Sequence, residues 1–252
     1  MNKTDVILDR AAFFADLDRI FDENGLAEFA TEENAAAFFE LTELMLRRNA
    51  VMNLTAITEP RQIILKHYAD SLTAAKYIPQ GAKLCDVGCG AGFPSLPLAI
   101  CRRDLAVTAI DSTEKRIDYV RATAKQLGLT NLGALCARAE DAAHTNLREN
   151  FDVVTARAVA PANILCEYCL PLCRTGGLFL LMKAKNGREE LEKAGNALAV
   201  LHAAVTFSAA FQLTDTKSGE EEQSRFVAGI EKQAPTEKIY PRNNAQIKKN
   251  PL

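Results

Sequence analysis

Three alternate glycines follow a short apolar segment in the run Leu84-Cys-Asp-Val-Gly-Cys-Gly-Ala-Gly-Phe-Pro-Ser95. Glycine lets the backbone turn sharply and lets a ligand approach backbone N–H groups closely, and the helix predicted to follow adds a partial positive charge at its start. The run is therefore typical of a loop between a strand and a helix that binds a nucleotide-like ligand.

The spacing of these glycines favours one ligand over another. Gly88, Gly90 and Gly92 alternate, whereas a dinucleotide fingerprint separates its second and third glycines by two residues. Asp86 stands just before the loop, where its charge would repel a phosphate and attract a cationic amino acid headgroup. The loop therefore predicts S-adenosylmethionine rather than NAD as the ligand.

Charged residues also stand where three further strands are predicted to end, which is the edge of a parallel sheet that binds ligands. Asp111 is placed either to accept both hydroxyls of a ribose or to cap the next helix, and Glu140 either meets an adenine edge or is an acid of a first helical turn. Arg157 follows an apolar strand, so it needs an anionic partner, which is either a structural carboxylate or a ligand.

Two regions of the chain differ in hydrophobic pattern. Residues 1–78 repeat apolar side chains at helical spacing, with Ile7 in the first predicted helix and further helices starting near Thr31 and Thr58. Residues 79–252 alternate strands and helices, which predicts an α/β fold with a mostly parallel sheet covered on both faces. The predicted strands are 83–87, 105–110, 132–136, 151–156 and 178–183, the predicted helices are 94–101, 113–127, 161–173 and 188–201, and strands 205–213 and 225–231, joined by the polar stretch 214–224, form an antiparallel edge.

Composition limits the class of protein. A chain of 252 residues with 48% hydrophobic residues can bury one full core and carry a small appended unit. Its opening segment has no basic and apolar signal pattern, and no apolar run approaches the ~20 residues of a membrane span. We therefore expect a cytoplasmic protein that does not bind a membrane.

Seven cysteines are scattered through apolar segments, which indicates reduced, buried thiols in such a chain. Cys166, Cys169 and Cys173 have a spacing that places them on one face of the predicted helix 161–173, and core packing explains them better than zinc because no fourth ligand is nearby. The sequence predicts no metal site.

Charge is distributed unevenly along the chain. Residues 1–43 contain 11 acids and 3 bases, whereas residues 232–252 contain 5 bases and 1 acid. This asymmetry places contacts with a polyanion on the C-terminal side, although a solvated tail would have the same composition.

Several segments together resemble one known family over nearly the whole chain. The segments are Asn49-Ala-Val-Met-Asn-Leu-Thr-Ala-Ile57, His67-Tyr-Ala-Asp-Ser-Leu72, the loop 86–94, Asp111-Ser with Lys115-Arg116, Arg138-Ala-Glu140, Thr155-Ala-Arg157-Ala-Val159, Met182-Lys183, and Tyr240-Pro-Arg242 with Lys248 and Pro251-Leu252. They resemble the bacterial glucose-inhibited division protein B family, which methylates N7 of a guanine in small-subunit (16S) ribosomal RNA. The departures are Arg48 for an aromatic residue, and Ser95 and Ala184 for glycines.

The resemblance implies a class I S-adenosylmethionine-dependent methyltransferase, Rossmann-like, with an N-terminal helical extension (1–78) packed on a methyltransferase domain (79–252) that ends in a basic tail. It implies donor contacts by Gly88, Phe93, Ala139, Glu140 and Arg157. With the residues singled out above, the candidate donor-binding set is Asp86, Gly88, Gly90, Phe93, Asp111, Ala139, Glu140 and Arg157.

The implied reaction requires few catalytic groups. Guanine N7 has a free lone pair and no proton, so in-line transfer depends on placement and needs no obligatory general base. The candidate residues for substrate or transfer geometry are Asn53, Thr55, Arg157 and Lys183, and those for RNA phosphates are Arg225, Arg242, Lys248 and Lys249. Turn and cap chemistry remains the alternative for the asparagines. The pair His67 and Asp70 either joins the N-terminal unit to the sheet or acts in catalysis.

The expected partner is small-subunit ribosomal RNA or the small ribosomal subunit, bound by a monomer. Two other functions stay open from the sequence: a methyltransferase acting on another substrate, and a non-catalytic ribosome assembly factor.

Overall fold

The computed structural model describes residues 8–217 and 223–252. Its centre is one sheet whose strands are β1 (Lys83–Val87), β2 (Ala106–Asp111), β3 (Leu132–Cys136), β4 (Phe151–Arg157), β5 (Cys173–Ala184), β6 (Ala203–Leu213) and β7 (Gln223–Lys232). Their order across the sheet is β3-β2-β1-β4-β5-β7-β6. The first five strands run parallel, and β7 lies antiparallel between β5 and β6. The predicted parallel sheet with an antiparallel edge is therefore confirmed.

Eleven α-helices occur in the described residues: α1 (Arg10–Glu23), α2 (Glu32–Met52), α3 (Pro60–Ile63), α4 (Asp70–Leu72), α5 (Ser95–Cys101), α6 (Glu114–Gln126), α7 (Ala139–Ala142), α8 (Ala162–Cys169), α9 (Gly187–Lys193), α10 (Gly195–Val200) and α11 (Asn244–Lys249). A π-helical segment, Ile64–Ala69, joins α3 to α4. None of the helices described is long and apolar enough to cross a lipid bilayer.

Two predicted helices differ from the structure. The helix predicted over 161–173 ends at Cys169, and Cys173 begins β5 instead. Pro171 explains the break, because proline cannot donate to a helical hydrogen bond and disfavours helix in the residue before it. The expectation that the three cysteines share one helix face is therefore wrong, although all three are buried free thiols. The helix predicted over 188–201 is divided at Ala194, directly before Gly195, a poor helix former.

The N-terminal helices pack on the sheet. Thr31 caps α2 by accepting from the Asn34 amide, as its helix-start pattern predicts. Phe38 on α2 stacks on Tyr68 of the π-helical segment, with ring centroids 4.6 Å apart. Both rings belong to the hydrophobic cluster that continues into the sheet. Ile7 and the middle of the polar stretch 214–224 lie outside the described residues.

Candidate functional site

The glycine loop is tied to the end of the neighbouring strand β2. Gly88 and Gly90 have φ angles of +70° and +56°, which favour glycine. The Gly88 amide donates to the Ile110 carbonyl over 2.8 Å, and the Gly90 amide donates to Asp111 Oδ2 over 3.0 Å. A Cβ on Gly88 would lie 2.6 Å from Val159 Cγ2. The loop is thus held between β2 and the segment that follows β4.

A cavity of about 540 Å³, here called the donor cavity, opens beside this loop. It lies at the carboxyl ends of β1, β2, β3 and β4. Its walls include four of the candidate donor-binding residues, Gly88, Asp111, Ala139 and Glu140. The structure therefore brings together residues that are far apart in the sequence, at the sheet edge where ligands bind in folds of this kind.

Asp111 already has partners inside the protein. Its Oδ1 accepts from the Thr113 amide over 2.9 Å, ahead of α6, while Oδ2 accepts from Gly90. Arg116 Nη1 lies 3.6 Å from Oδ2. Asp111 thus fixes the turn before α6 without capping the helix, whose N-cap is Thr113, and each carboxylate oxygen keeps a second lone pair for a ligand hydroxyl.

Glu140 has an unsatisfied oxygen in the donor cavity. Its side chain is buried, with the residue 5% exposed, and Oε1 has no hydrogen-bond partner among the described residues. The Arg138 guanidinium is 3.9 Å away, beyond hydrogen-bonding distance. A buried acceptor without a donor is costly. Such an oxygen is suited to receive an N–H or O–H group from a ligand.

Asp86 lies behind the loop rather than in the donor cavity. It is fully buried, and its oxygens accept from the Ser95 amide over 3.1 Å and from Thr155 Oγ1 over 3.2 Å. Burial raises the pKa of this carboxyl to about 6, against those two hydrogen bonds. The structure thus uses Asp86 to join β1 to α5 and β4, which differs from the expected contact with a ligand headgroup.

A second cavity of about 540 Å³, here called the acceptor cavity, adjoins the first at Ala158. Ala158 lines both cavities and has a φ of +57°. The acceptor cavity has an apolar side formed by Ile57, Phe211 and Val227. Its charged and polar side is formed by Lys66, His67, Asp70, Arg157, Lys183, Glu190 and Arg225.

A carboxylate between two arginines dominates the charged side. Asp70 Oδ2 accepts from Arg157 Nη1 over 2.8 Å, and Oδ1 accepts from Arg225 Nε over 2.9 Å. All three side chains are at most 16% exposed. Arg157 thus has the structural carboxylate that was one of its two expected partners. Arg225, expected among residues that contact RNA phosphates, lies within the cavity and is paired with Asp70.

His67 joins the N-terminal unit to the glycine loop. Its ring stacks on Phe93 with centroids 4.5 Å apart, and Nε2 lies 2.9 Å from Thr55 Oγ1. Burial, aided by the charge of Arg157, lowers the pKa of His67 to about 3, so the ring is neutral at physiological pH. Phe93 is therefore packed against the acceptor side and does not line the donor cavity.

The candidates Asn53 and Thr55 have different surroundings. Asn53 ends α2 in a left-handed conformation with a φ of +49°, so the turn and cap alternative describes its backbone. Thr55 is held by Asn49, whose side chain both accepts from the Thr55 amide and donates to its carbonyl over 2.9 Å. Thr55 in turn touches His67 at the edge of the acceptor cavity.

Lys183 fixes the segment that separates the two cavities. Its Nζ donates to the Ala160 carbonyl and lies 2.6 Å from Glu190 Oε2. The same Glu190 oxygen accepts from the Ala162 amide over 3.1 Å. One ion pair thus holds the C-terminal side of the segment 158–161, through Ala160 and Ala162, and Glu190 is a residue that sequence reasoning missed.

The C-terminal residues expected to contact RNA occupy three different environments. Arg242 donates through its amide, Nε and Nη2 to the carboxylate of Glu167, at distances of 2.6 to 2.8 Å. Lys248 lines the donor cavity. Lys249 is exposed beside it on α11. The structure therefore does not bring these three together on one phosphate-binding surface, since Arg242 is occupied by a buried carboxylate.

The sheet order, the glycine loop and the cavity at the strand ends define the class I methyltransferase fold. Solved structures similar to this chain include an O-methyltransferase from Bacillus cereus in complex with SAH, with a TM-score of 0.52, 20% identity, and coverage of 77% of this chain and 91% of that one. Another is the precorrin-6y C5,15-methyltransferase from Geobacter metallireducens, with a TM-score of 0.51, 15% identity, and coverage of 66% and 87%. The predicted fold class is confirmed.

The family described as rRNA small subunit methyltransferase G matches residues 34–218. A protein of Exiguobacterium sibiricum named ribosomal RNA small subunit methyltransferase G is 43% identical over 91% of this chain and 95% of its own length. One of the same name from Staphylococcus carnosus is 44% identical over 83% and 87%. The chain belongs to the rRNA small subunit methyltransferase G family, which confirms the resemblance seen in the sequence.

Proposed function

We propose that this protein transfers a methyl group from S-adenosylmethionine to N7 of a guanine in small-subunit ribosomal RNA. One observation carries the proposal beyond the family: two cavities of about 540 Å³ each meet at Ala158, one beside the glycine loop and one beside a cationic cluster. A methyl donor and an acceptor base in these two places would meet near the end of β4.

The residues that line the donor cavity are suited to bind S-adenosylmethionine, the substrate that supplies the methyl group. Glu140 offers a buried oxygen without a partner, which would accept from the adenine amino group. Asp111 retains lone pairs for ribose hydroxyls, and Gly88 lines the same cavity. These three residues are proposed to hold the donor, with Ala139 in the wall beside them.

The acceptor cavity is suited to a flat, neutral base that carries hydrogen-bond acceptors. Asp70 with Arg157 and Arg225 has a net charge of +1, and the opposite wall is apolar. Guanine offers O6 to such a cationic group while N7 stays free to attack the methyl carbon. The bond from sulfur to methyl breaks as the bond from N7 to methyl forms, and sulfur keeps the electron pair, so no proton needs to leave.

Placement supplies the catalysis in this proposal. Holding donor and acceptor in line contributes up to ~7–11 kcal/mol in ideal cases. Residues 1–78 are proposed to act as a helical extension that completes the acceptor side of the unit 79–252, because it contributes His67 and Asp70 to that cavity. The target base must come from a loop or be turned out of a helix, since the groove carrying N7 in A-form RNA is deep and narrow.

Labelled methyl transfer tests the proposal. The protein is incubated with labelled S-adenosylmethionine and, separately, deproteinised small-subunit RNA, intact small subunits and total protein. We expect label in RNA from one of the first two samples, recovered as 7-methylguanosine after digestion to nucleosides. Label in protein or in another nucleoside would contradict the proposed acceptor, and absence of transfer with intact donor binding would favour an assembly factor.

A further inference from the structure

The chain beyond β7 is fastened to the core at several points. Arg242 makes three hydrogen bonds to Glu167, whose side chain is only 1% exposed. Arg148 donates to the carbonyls of Thr236, Glu237 and Tyr240 over 2.8 to 3.1 Å. This fastening fixes the position of α11, which follows directly.

The fastened helix α11 presents one face to the donor cavity. Asn244 and Lys248 both line that cavity, and their spacing of four residues puts them on the same side of a helix. Tyr168 Oη, which also lines the cavity, donates to Asn244 Oδ1 over 2.9 Å. Ile247 of α11 is fully buried and anchors the helix in the hydrophobic core. Lys248, although exposed, therefore lies on the wall of the cavity that also contains Glu140.

We propose that Lys248 binds the adenine ring of the methyl donor together with Glu140. An adenine edge presents an amino donor beside a ring-nitrogen acceptor. Glu140 Oε1 is an acceptor without a partner, and the Lys248 ammonium offers donors only. The two side chains thus match the two atoms of that edge. The inference rests on the proposed function, and it makes Arg242 a positioning residue that acts through α11.

Calorimetry with S-adenosylhomocysteine, without RNA, tests the assignment. Lys248→Ala is compared with Lys249→Ala, because Lys249 is also exposed on the same helix but does not line the cavity. We expect Lys248→Ala to weaken binding by about tenfold, the size of one hydrogen bond from a charged group, and Lys249→Ala to stay within about twofold of the wild type.

A deaminated ligand separates recognition of the ring from a general effect on the cavity. S-inosylhomocysteine has an acceptor where adenine has its amino group and an N–H where adenine has its ring acceptor. We expect the wild type to prefer the adenosine form by at least ~tenfold, and Lys248→Ala to reduce this preference. A residue that only supported the cavity would weaken both ligands equally.

The failures of the two proposals are distinguishable. A wild-type protein that does not bind S-adenosylhomocysteine contradicts the proposed function. Normal wild-type binding with an unchanged affinity in Lys248→Ala contradicts this inference alone. If Lys248→Ala instead weakens RNA binding and reduces its salt dependence at normal donor affinity, Lys248 contacts phosphates and the assignment to adenine is wrong.

Discussion

The donor and acceptor cavities are similar in volume and adjacent, yet their carboxylates differ in whether they have hydrogen-bond partners within the protein. In the donor cavity, Glu140 keeps a buried oxygen without a partner. In the acceptor cavity, Asp70 is shared by Arg157 and Arg225, so the charges are satisfied within the protein. The first arrangement gains a hydrogen bond when ligand binds, whereas the second is complete before any ligand arrives.

This difference has separate consequences for stability and for ligand affinity in the two cavities. An unsatisfied buried acceptor lowers the stability of the free protein and raises affinity for a ligand that donates to it. Removing one member of a paired cluster is costly, and the intact cluster offers a rigid, weakly cationic surface, which favours orientation over affinity. We therefore expect substitutions in the acceptor cavity to affect folding and turnover, and those in the donor cavity to affect affinity.

The largest expected effect comes from Asp70→Ala, which leaves the largely buried guanidinium groups of Arg157 and Arg225 without their shared carboxylate. We expect the free energy of unfolding to fall by about 3–5 kcal/mol, measured by urea denaturation. Glu140→Ala is the matched control and should lower the free energy of unfolding by less than about 1 kcal/mol, because its Oε1 has no hydrogen bond to lose. Equal losses in the two variants would remove the contrast between the cavities. If Asp70→Ala does not fold, Asp70→Asn gives the same comparison.

A pH dependence of stability is expected from His67. Because its pKa in the folded protein is lowered from 6.5 to about 3, the unfolded chain binds more protons between these values. The contribution of His67 to the free energy of unfolding is therefore fully present above pH 6.5. It is lost as the pH falls, by up to ~1.4 kcal/mol per pH unit. His67→Gln should lack this contribution in urea denaturation between pH 4 and 7.

Asp86 acts in the opposite direction over part of this range. Its folded-state pKa is raised from 3.8 to about 6, so its contribution to stability is present below pH 3.8 and is lost as the pH rises through 6. The measured quantity is therefore the difference between His67→Gln and wild type at each pH. A difference that stays constant would show that His67 is not held neutral in the folded protein.

A smaller effect is expected from Glu190→Gln, which removes the ion pair with Lys183 and keeps an acceptor for the Ala162 amide. Because the segment between the cavities loses part of its support, we expect turnover to fall by about three- to tenfold while donor affinity stays within about twofold. Glu189→Gln, exposed on the same helix, is the control. A change in donor affinity alone would assign the ion pair to the donor side.

The smallest effect on folding is expected from Glu140→Gln. Removing the charge at constant shape should leave the free energy of unfolding within about 0.5 kcal/mol of wild type. Affinity for S-adenosylhomocysteine should fall by about three- to tenfold, since a neutral acceptor makes a weaker hydrogen bond than a carboxylate. A loss of stability without a loss of affinity would show that Glu140 serves the fold.

Local patterns predicted most of the fold and half of the site. The glycine loop, the parallel strands and the Thr31 cap are set by residues close together in the sequence, and Gly88, Asp111 and Glu140 follow from the rule for strand ends. The partners of charged residues could not be predicted in the same way. Asp70 and Arg225 are 155 residues apart, and only the insertion of β7 beside β5 brings them together. The contact between Glu167 and Arg242 could not be predicted either. It depends on the position of α11, a helix too short to show a periodic pattern in the sequence.

The donor cavity and the acceptor cavity draw their residues from partly different segments of the chain. The donor loop and its carboxylates come from the chain between β1 and α7, whereas the acceptor wall adds Asp70 of α4 and Arg225 of β7 to Arg157 of the central strands. We therefore expect substitutions in α4 or β7 to change how the base is accepted and to leave the residues proposed to hold the methyl donor in place.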